Sequence, residues 1–250
     1  MNARITIADG REAILSAFGD DPFVSCFVSH SSSGIVADGG VVFSRQFRSR
    51  NSIMCYGDPE VTTSLLPQAI ERFRPERCTM PVRNFECLDE PDRPIQKGRW
   101  VWFYTRTRPD RDISGFPGEW LDADSHDAIE QLLDDAFPTA SMRPSQNASD
   151  RRWFGSRDET GRLISCGAAS GQDGVGPMLN SIAVHPDSRK GGVGSDLTAW
   201  VTNRLFDEGN KQVSLGAHLN EPATHRMYRR LGYHQAQELI SGEVAHEPAS

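Results

Sequence analysis

Residues 182–197 read "IAVHPDSRKGGVGSDL", and this stretch decides the fold. An apolar run typical of a β-strand ends at Pro186, and three glycines at positions 191, 192 and 194 precede a segment with helical periodicity. A glycine-rich connection from a strand into a helix exposes backbone N–H groups at the positive end of the helix dipole. The sequence therefore predicts an anion site here, and a plain glycine-rich turn is the alternative.

Spacing excludes two common phosphate-binding loops. The mononucleotide loop G-x-x-x-x-G-K-[ST] needs a lysine directly after its last glycine, but Ser195 follows Gly194. The dinucleotide loop G-x-G-x-x-G needs a glycine or alanine three residues after its second glycine, and Leu197 stands there. The anion is therefore expected in a different type of strand–helix loop.

The composition is that of a soluble globular protein. Of 250 residues, 37% are hydrophobic and 24% charged, and no apolar run is long enough to cross a membrane. The first 21 residues do not resemble a signal peptide, so we expect a cytoplasmic protein without a membrane partner. The net charge of −7 argues against nucleic acid as a partner, because phosphate binding needs a basic face.

Five cysteines occur at positions 26, 55, 78, 87 and 166. Their number is odd, and no pair has C-x-x-C or Cys/His ligand spacing, which argues against a disulfide framework and against a metal site. We expect reduced thiols in the core, and no cysteine is placed to suggest an acyl-enzyme.

The second half of the chain alternates strand and helix patterns. A helix is predicted over 124–137, a hairpin over 151–170 with its turn at 158–161, and then strand, helix, strand, helix and strand, with Asn220 capping the last helix. Residues 139–150 fit a short helix or a loop. This order predicts an α/β domain with a mixed sheet, since a hairpin precedes strand–helix–strand units.

The first half repeats part of that order. Strands are predicted over 41–47, 51–57, 76–82 and 99–107, and a helix interrupted by Pro67 over 58–73. No glycine-rich loop joins the strand over 51–57 to the helix over 58–73. We place a linker in 108–120 and divide the chain into an N-terminal lobe, 1–114, and a catalytic domain, 115–250.

Two motifs carry a family resemblance. Arg189, Gly192 and Gly194 form R-x-x-G-x-G after a strand, and "LNEPATHRMYRRLGY" follows at residues 219–233. Together they resemble the GNAT superfamily of acyl-CoA-dependent N-acyltransferases over residues 118–240. The resemblance implies a GNAT-like mixed central sheet flanked by helices. The N-terminal lobe would be a degenerate GNAT-like half, as in the two-lobed glycine N-acyltransferase group, or else an unrelated packing domain. In the first case it would cover the acceptor pocket and take the place of a dimer partner.

The resemblance also implies a site for acetyl-CoA, with no metal. The pyrophosphate would lie on the glycine loop, and the pantetheine arm would lie beside the strand as a pseudo-strand, which requires that strand to diverge from the one at 211–218. The implied cofactor-binding residues are Ile182, Ala183, Val184, Arg189, Lys190, Gly191, Gly192, Val193, Gly194, Ser195 and Asn220.

Tyr228 is the candidate catalytic residue. By resemblance it donates a proton or hydrogen bond to the departing thiolate; the alternative is an aromatic core residue. It stands eight residues after Asn220, where the common family form has seven, which puts the role of Asn220 in question. As a general base or water-positioning group the sequence offers His218, His185, Asn180 and Ser181, of which none is preferred.

The sequence thus predicts an N-acetyltransferase that transfers an acetyl group from acetyl-CoA to a primary amine by direct attack in a ternary complex. The acceptor is expected to be a small molecule or a peptide, and the protein a monomer or homodimer. The alternative is a non-catalytic CoA-binding or sensing module.

Overall fold

The computed structural model describes residues 5–47, 50–146, 151–171 and 175–245. In the first half the elements are β1 (Thr6–Asp9), α1 (Arg11–Phe18), α2 (Pro22–Phe27), β2 (Ser33–Ala37), β3 (Gly40–Phe47), β4 (Arg50–Gly57), α3 (Pro59–Phe73), β5 (Arg77–Pro81), α4 (Val82–Glu86) and β6 (Ile95–Thr105). In the second half they are β7 (Gly118–Leu121), α5 (His126–Ala136), β8 (Arg151–Arg157), β9 (Leu163–Ser170), β10 (Met178–Val184), α6 (Val193–Asp207), β11 (Val213–His218), α7 (Pro222–Arg230) and β12 (His234–Glu243).

The chain forms two compact units. The first contains the chain up to Trp102 together with residues from Ala236 onward, and the second contains most of the chain between Phe103 and Gln235. The sequence-based division into domains at residue 114 stays a prediction. Among the described residues, no helix is long and apolar enough to span a membrane.

The first unit has a mixed sheet in the order β1-β2-β3-β4-β5-β12-β6. The pairs from β1 to β4 are antiparallel, β4 and β5 are parallel, and β12 pairs antiparallel with β5, with Ile240 opposite Met80. Strand β12 is therefore an inner strand of the first unit. The hydroxyl groups of Ser241 in β12 and Thr79 in β5, which are 162 residues apart in sequence, are hydrogen-bonded at 2.9 Å.

Helix α3 covers one face of that sheet and buries Leu65, Leu66 and Ala69 against Ile53 and Cys78. It continues through Pro67, so the predicted interruption does not end it. At its N-terminus the Asp58 carboxylate accepts hydrogen bonds from the N–H groups of Glu60 and Val61, at 2.9 and 3.1 Å. A side chain thus caps the positive end of this helix.

The second unit has its strands in the order β11-β10-β9-β8-β7. The pairs from β7 to β10 are antiparallel, whereas β10 and β11 are parallel. Ile129, Leu132 and Leu133 of α5 pack against this sheet around Cys166. The mixed sheet with flanking helices confirms the predicted fold class. The helix over 124–137, the hairpin over 151–170 and the alternation that follows are confirmed as α5, β8–β9 and the elements from β10 to β12.

Two local predictions are wrong. Cys87 is exposed and not in the core, because it caps the C-terminus of the short helix α4; the other four cysteines are buried, and all five are free thiols. The N-cap of α7 is Glu221 and not Asn220, and its side chain makes no capping hydrogen bond.

Residues 139–146 form turns with one 3-10 helix, Pro144–Gln146, and the rest of the predicted segment, 147–150, lies outside the described residues.

Candidate active site

Strand β10 carries a bulge at its centre. Its register with β9 shifts between Asn180 and Ala183, and Ser181 adopts a left-handed conformation with φ 50°. The Ser181 hydroxyl accepts a hydrogen bond from the Met142 N–H (3.1 Å) and donates one to the Met142 carbonyl (2.9 Å). These two bonds compensate a backbone conformation that is unfavourable for a residue other than glycine.

Beyond the bulge, β10 and β11 diverge. Their parallel ladder consists of Met178 opposite Ser214 and Leu179 opposite Leu215. Among the described residues, positions 182–184 form no ladder pair with β11. Backbone donors and acceptors along this edge of β10 are therefore available to an extended ligand. The divergence of these two strands that the family resemblance implies is present.

The glycine loop leaves the N-terminus of α6 open. Lys190 and Gly192 both have positive φ, 69° and 87°, and Gly192 is the N-cap without a capping side chain. Within the described part of the chain, the N–H groups of residues 190–194 have no acceptor, whereas those of Ser195 and Asp196 donate to the Gly192 carbonyl at 2.9 and 3.0 Å. Five free N–H groups at the positive helix end suit an anion.

Arg189 supports this loop. Its Nε donates to the Val184 carbonyl at 3.1 Å, and its Nη2 donates to the Ala136 carbonyl at 3.0 Å. The guanidinium therefore joins the loop to the end of β10 and to the C-terminus of α5. Lys190 is exposed and has no partner among the described residues, so its ammonium is available to a ligand.

Tyr228 lies on the buried face of α7. Its side chain is 5% exposed, and its ring centroid lies 5.6 Å from that of Phe103 and 6.0 Å from that of Tyr233. Within the described structure its hydroxyl has no hydrogen-bond partner, whereas the Tyr233 hydroxyl is bonded to Thr202 at 2.7 Å. Burial, and secondarily the charge of Glu221, raise the pKa of Tyr228, so the phenol stays protonated.

Asn220 is exposed at the turn between β11 and α7, and its side chain makes no hydrogen bond to the described residues. In the first turn of α7, the Thr224 hydroxyl donates to the Glu221 carboxylate at 3.1 Å. His225 of α7 instead bonds the His218 carbonyl through its Nε2 at 2.8 Å. This bond holds α7 next to the end of β11.

The four candidate base or water-positioning residues differ in the hydrogen bonds that their side chains already make. His185 is buried; it bonds Arg162 and accepts from the Asp187 N–H at 3.2 Å, so its role is structural. Both bonds of the Ser181 hydroxyl go to Met142, and the Asn180 amide nitrogen donates to the Ser170 hydroxyl and the Met178 carbonyl.

His218 is the most accessible of the four. Its ring is exposed at the end of β11 and lies 5.5 Å from the ring of Phe137. It is thus the candidate whose imidazole is left available for proton transfer. Across the described ranges, no group of three or more His, Cys, Asp and Glu side chains is arranged to hold a metal ion.

A cavity beside the glycine loop was not predicted from the sequence. It has a volume of about 340 Å³ and lies between the start of α6 and the helix α7. Its lining residues are Asp110, Arg111, Ser195, Ala223, Arg226, Met227, Arg230 and Leu231. Arg226 and Arg230 are four residues apart in a predicted helix, which indicates that both side chains lie on one helix face. No sequence pattern indicates that Arg111 lies beside them.

Part of the chain matches a known family. The model of the acetyltransferase (GNAT) family matches residues 116–233, a segment that includes β7, α7 and all elements between them. No curated protein matches the sequence.

Several solved structures share the fold over nearly the whole chain. A GCN5-related N-acetyltransferase from Kribbella flavida has a TM-score of 0.56 at 17% identity, covering 96% of this chain and 97% of its own. One from Sphaerobacter thermophilus has a TM-score of 0.56 at 15% identity, with 96% and 95% covered. A GNAT-family acetyltransferase from Colwellia psychrerythraea has a TM-score of 0.54 at 12% identity, with 92% and 89% covered. At these identities the likeness concerns the fold.

Proposed function

We propose that this chain, whose residues 116–233 match the acetyltransferase (GNAT) family model, transfers an acetyl group from acetyl-CoA to a primary amine by direct attack in a ternary complex. The family resemblance drawn from the sequence is confirmed, and with it an acyl-CoA-dependent acetyltransferase activity in general terms. The likeness to the glycine N-acyltransferase group stays a prediction.

One observation carries the proposal: the open N-terminus of α6 follows strand β10, whose edge facing β11 is unpaired beyond Leu179. The free N–H groups of residues 190–194 would bind the pyrophosphate, with Lys190 adding charge. The unpaired edge at residues 182–184 would bind the amides of the pantetheine arm. Arg189 is a positioning residue in this arrangement, since its guanidinium holds the loop.

Tyr228 would act as the general acid. The amine nitrogen attacks the thioester carbonyl carbon, the carbon–sulfur bond of the tetrahedral intermediate breaks, and the leaving thiolate takes the phenolic proton. The amide nitrogen loses one proton, and the tyrosinate regains one from solvent. The raised pKa of Tyr228 keeps the phenol protonated at neutral pH, so its hydroxyl is a hydrogen-bond donor for the departing thiolate.

A nearby amide would polarise the carbonyl. A backbone N–H group on the edge of β10 that is unpaired with β11 would donate a hydrogen bond to the developing oxyanion, and such donors stabilise the transition state without reorganisation. The attacking amine must be neutral, and His218 is the candidate to accept its proton.

The test is thiol release. The full chain would be incubated with acetyl-CoA and a panel of amines that includes amino acids, polyamines and peptides, and free CoA measured with a thiol reagent. We expect amine-dependent release by the wild type and none by Gly192→Trp, because φ at this position is 87° and a Cβ would lie 3.0 Å from Arg111 Nη2. Binding of acetyl-CoA without turnover on any amine would contradict the proposal and favour a sensing module. Unchanged binding by Gly192→Trp would contradict the assigned site.

A further inference from the structure

A buried histidine of α7 is hydrogen-bonded to the residue that carries the candidate base. His225 is 8% exposed, and its Nε2 lies 2.8 Å from the carbonyl oxygen of His218, the last residue of β11. A carbonyl oxygen only accepts hydrogen bonds, so Nε2 of His225 is the donor. The bond closes the turn between the strand and the helix and fixes the backbone that carries the His218 imidazole.

This anchor matters because the ladder with β10 ends before His218. The last pair of that ladder in the described structure is Leu179 opposite Leu215, three residues earlier in β11. The imidazole of His218 donates no hydrogen bond to a described residue and meets the ring of Phe137 edge-on, with the ring planes at 78°. The bond from His225 and the contact with Phe137 therefore orient the imidazole.

The helix that supplies this bond also carries the candidate acid. His225 stands three residues before Tyr228 on the buried face of α7, and the two rings lie 5.4 and 5.6 Å from that of Phe103. In the proposed reaction Tyr228 donates a proton to the departing thiolate, and His218 accepts one from the attacking amine. Both groups must therefore be placed correctly around one tetrahedral carbon.

We propose that His225 is a positioning residue for acetyl transfer: its hydrogen bond to the His218 carbonyl places the imidazole relative to the phenol of Tyr228. The inference rests on the proposed function. A misplacement of about 1 Å in a reacting group can lower a rate by up to about a hundredfold. His225 makes no contact with the glycine loop or with residues 182–184 in the described structure, so its loss should slow the chemical step and leave acetyl-CoA binding unchanged.

Two variants separate the hydrogen bond from the packing. His225→Phe keeps an aromatic ring beside Phe103 but has no donor, whereas His225→Gln keeps a donor near the position of Nε2 but has no ring. We expect His225→Phe to lower kcat about tenfold with the Kd for acetyl-CoA unchanged, and His225→Gln to retain kcat within about twofold. The full chain would be assayed by thiol release with acetyl-CoA and the amine of the panel that reacts fastest with the wild type.

Thr224→Val is the matched control. It removes another hydrogen bond at the start of α7, the one from the Thr224 hydroxyl to the Glu221 carboxylate at 3.1 Å, which does not involve His218. We expect this variant to retain the kcat of the wild type. A loss as large as in His225→Phe would show that any weakening of this turn slows the enzyme, and it would overturn the inference.

A double-mutant cycle tests whether His225 acts through the imidazole. In His218→Ala the backbone carbonyl is still present, so the bond from His225 can form, but no imidazole remains to be placed. We expect His225→Phe to change kcat less than about twofold in that background, because residues that act through one group are not additive. The same loss in both backgrounds would assign His225 to the fold or to Tyr228 and overturn the inference.

The remaining outcomes separate this inference from the proposed function. Unchanged kcat in His225→Phe would overturn the inference alone, as would a loss in His225→Gln as large as that expected for His225→Phe, a result that decides the matter even where His225→Phe does not fold. Unchanged kcat in His218→Ala would overturn both the inference and the assigned base while acetyl transfer stands. Absence of amine-dependent thiol release by the wild type would overturn the proposed function as well.

Discussion

The guanidinium of Arg189 lies against the last turn of α5, where its Nη2 donates to the Ala136 carbonyl at 3.0 Å. The same side chain donates to the Val184 carbonyl at 3.1 Å. One residue thus joins a helix C-terminus, a strand end and the glycine loop. Positive charge at a helix C-terminus is itself stabilising, because it meets the negative end of the dipole.

This relationship predicts that Arg189 affects acetyl-CoA binding through loop geometry. Arg189→Lys keeps the charge but cannot form both hydrogen bonds, so we expect KM for acetyl-CoA to rise about tenfold with kcat little changed, the effect of roughly one charge-assisted bond. Steady-state kinetics would measure this. Lys190→Gln is the comparison, because this substitution removes a charge without removing a hydrogen bond that supports the loop. It should reduce the salt dependence of acetyl-CoA binding. If Arg189→Lys instead binds acetyl-CoA as the wild type does, the support role is wrong.

Tyr228 of α7 and Tyr233, the residue just before β12, predict opposite results on removal of a hydroxyl group. Tyr228→Phe deletes an unpartnered hydroxyl, so we expect kcat to fall about a hundredfold or more, as for loss of a general acid, with unfolding unchanged. Tyr233→Phe deletes the partner of Thr202 and is expected to lower stability by about 1 kcal/mol with kcat unchanged. Rate assays and denaturant unfolding of both variants check this. Equal kcat values for Tyr228→Phe and the wild type would remove the assigned acid.

The start of α3 predicts a single acetyl-CoA site per chain. There the Asp58 carboxylate already accepts from the N–H groups of Glu60 and Val61, and no glycine loop precedes the helix. We expect a calorimetric stoichiometry of one. Asp58→Ala should lower the unfolding midpoint through loss of about 1 kcal/mol without changing acetyl-CoA affinity, and Asp58→Asn, which retains a capping oxygen, should lower it less. A stoichiometry of two would contradict this prediction.

The buried thiol of Cys166 predicts a loss of stability at alkaline pH. Burial raises its pKa from 9.0 to about 12. The unfolded thiol therefore ionises first as the pH rises, and the stability that the folded thiol contributes below pH 9.0 is lost progressively between that value and about 12. Unfolding would be measured at about pH 8 and about pH 10.5 for the wild type and Cys166→Ala, and the wild type should lose more stability. The same loss in both proteins would refute the shift.

Local signals in the sequence predicted the central part of the site. The glycines at 191, 192 and 194 define the start of α6, and apolar periodicity defines β10, β11 and α7, because these features depend on neighbours within a few residues. The divergence after Leu179 followed from the family resemblance, and the register shows it. Asn220 was assigned as a cap from its residue type, but the N-cap is the next residue, Glu221, and the helix begins at Pro222.

Features that depend on distant residues were not predicted. Nothing near Arg111 indicates that its side chain reaches Asp196, 85 positions away. The pairing of β12 with β5 could not be predicted, because an alternating pattern indicates a strand but not the strand with which it pairs. Cysteine is a residue type that is usually buried, which favoured a core position for Cys87. Its exposure results from its place at the C-terminus of α4.

The position of β12 has a consequence for how the protein is made. Strands β5 and β12 are neighbours in the first unit although Met80 and Ile240 are separated by most of the chain. As the ribosome synthesises the protein from its N-terminus, the first unit lacks an inner strand until the second unit has been translated, and β5 presents an open edge during that time. The N-terminal half therefore completes its fold last, and a nascent chain halted before Ala236 would expose a pairing edge that a chaperone or a second nascent chain can occupy.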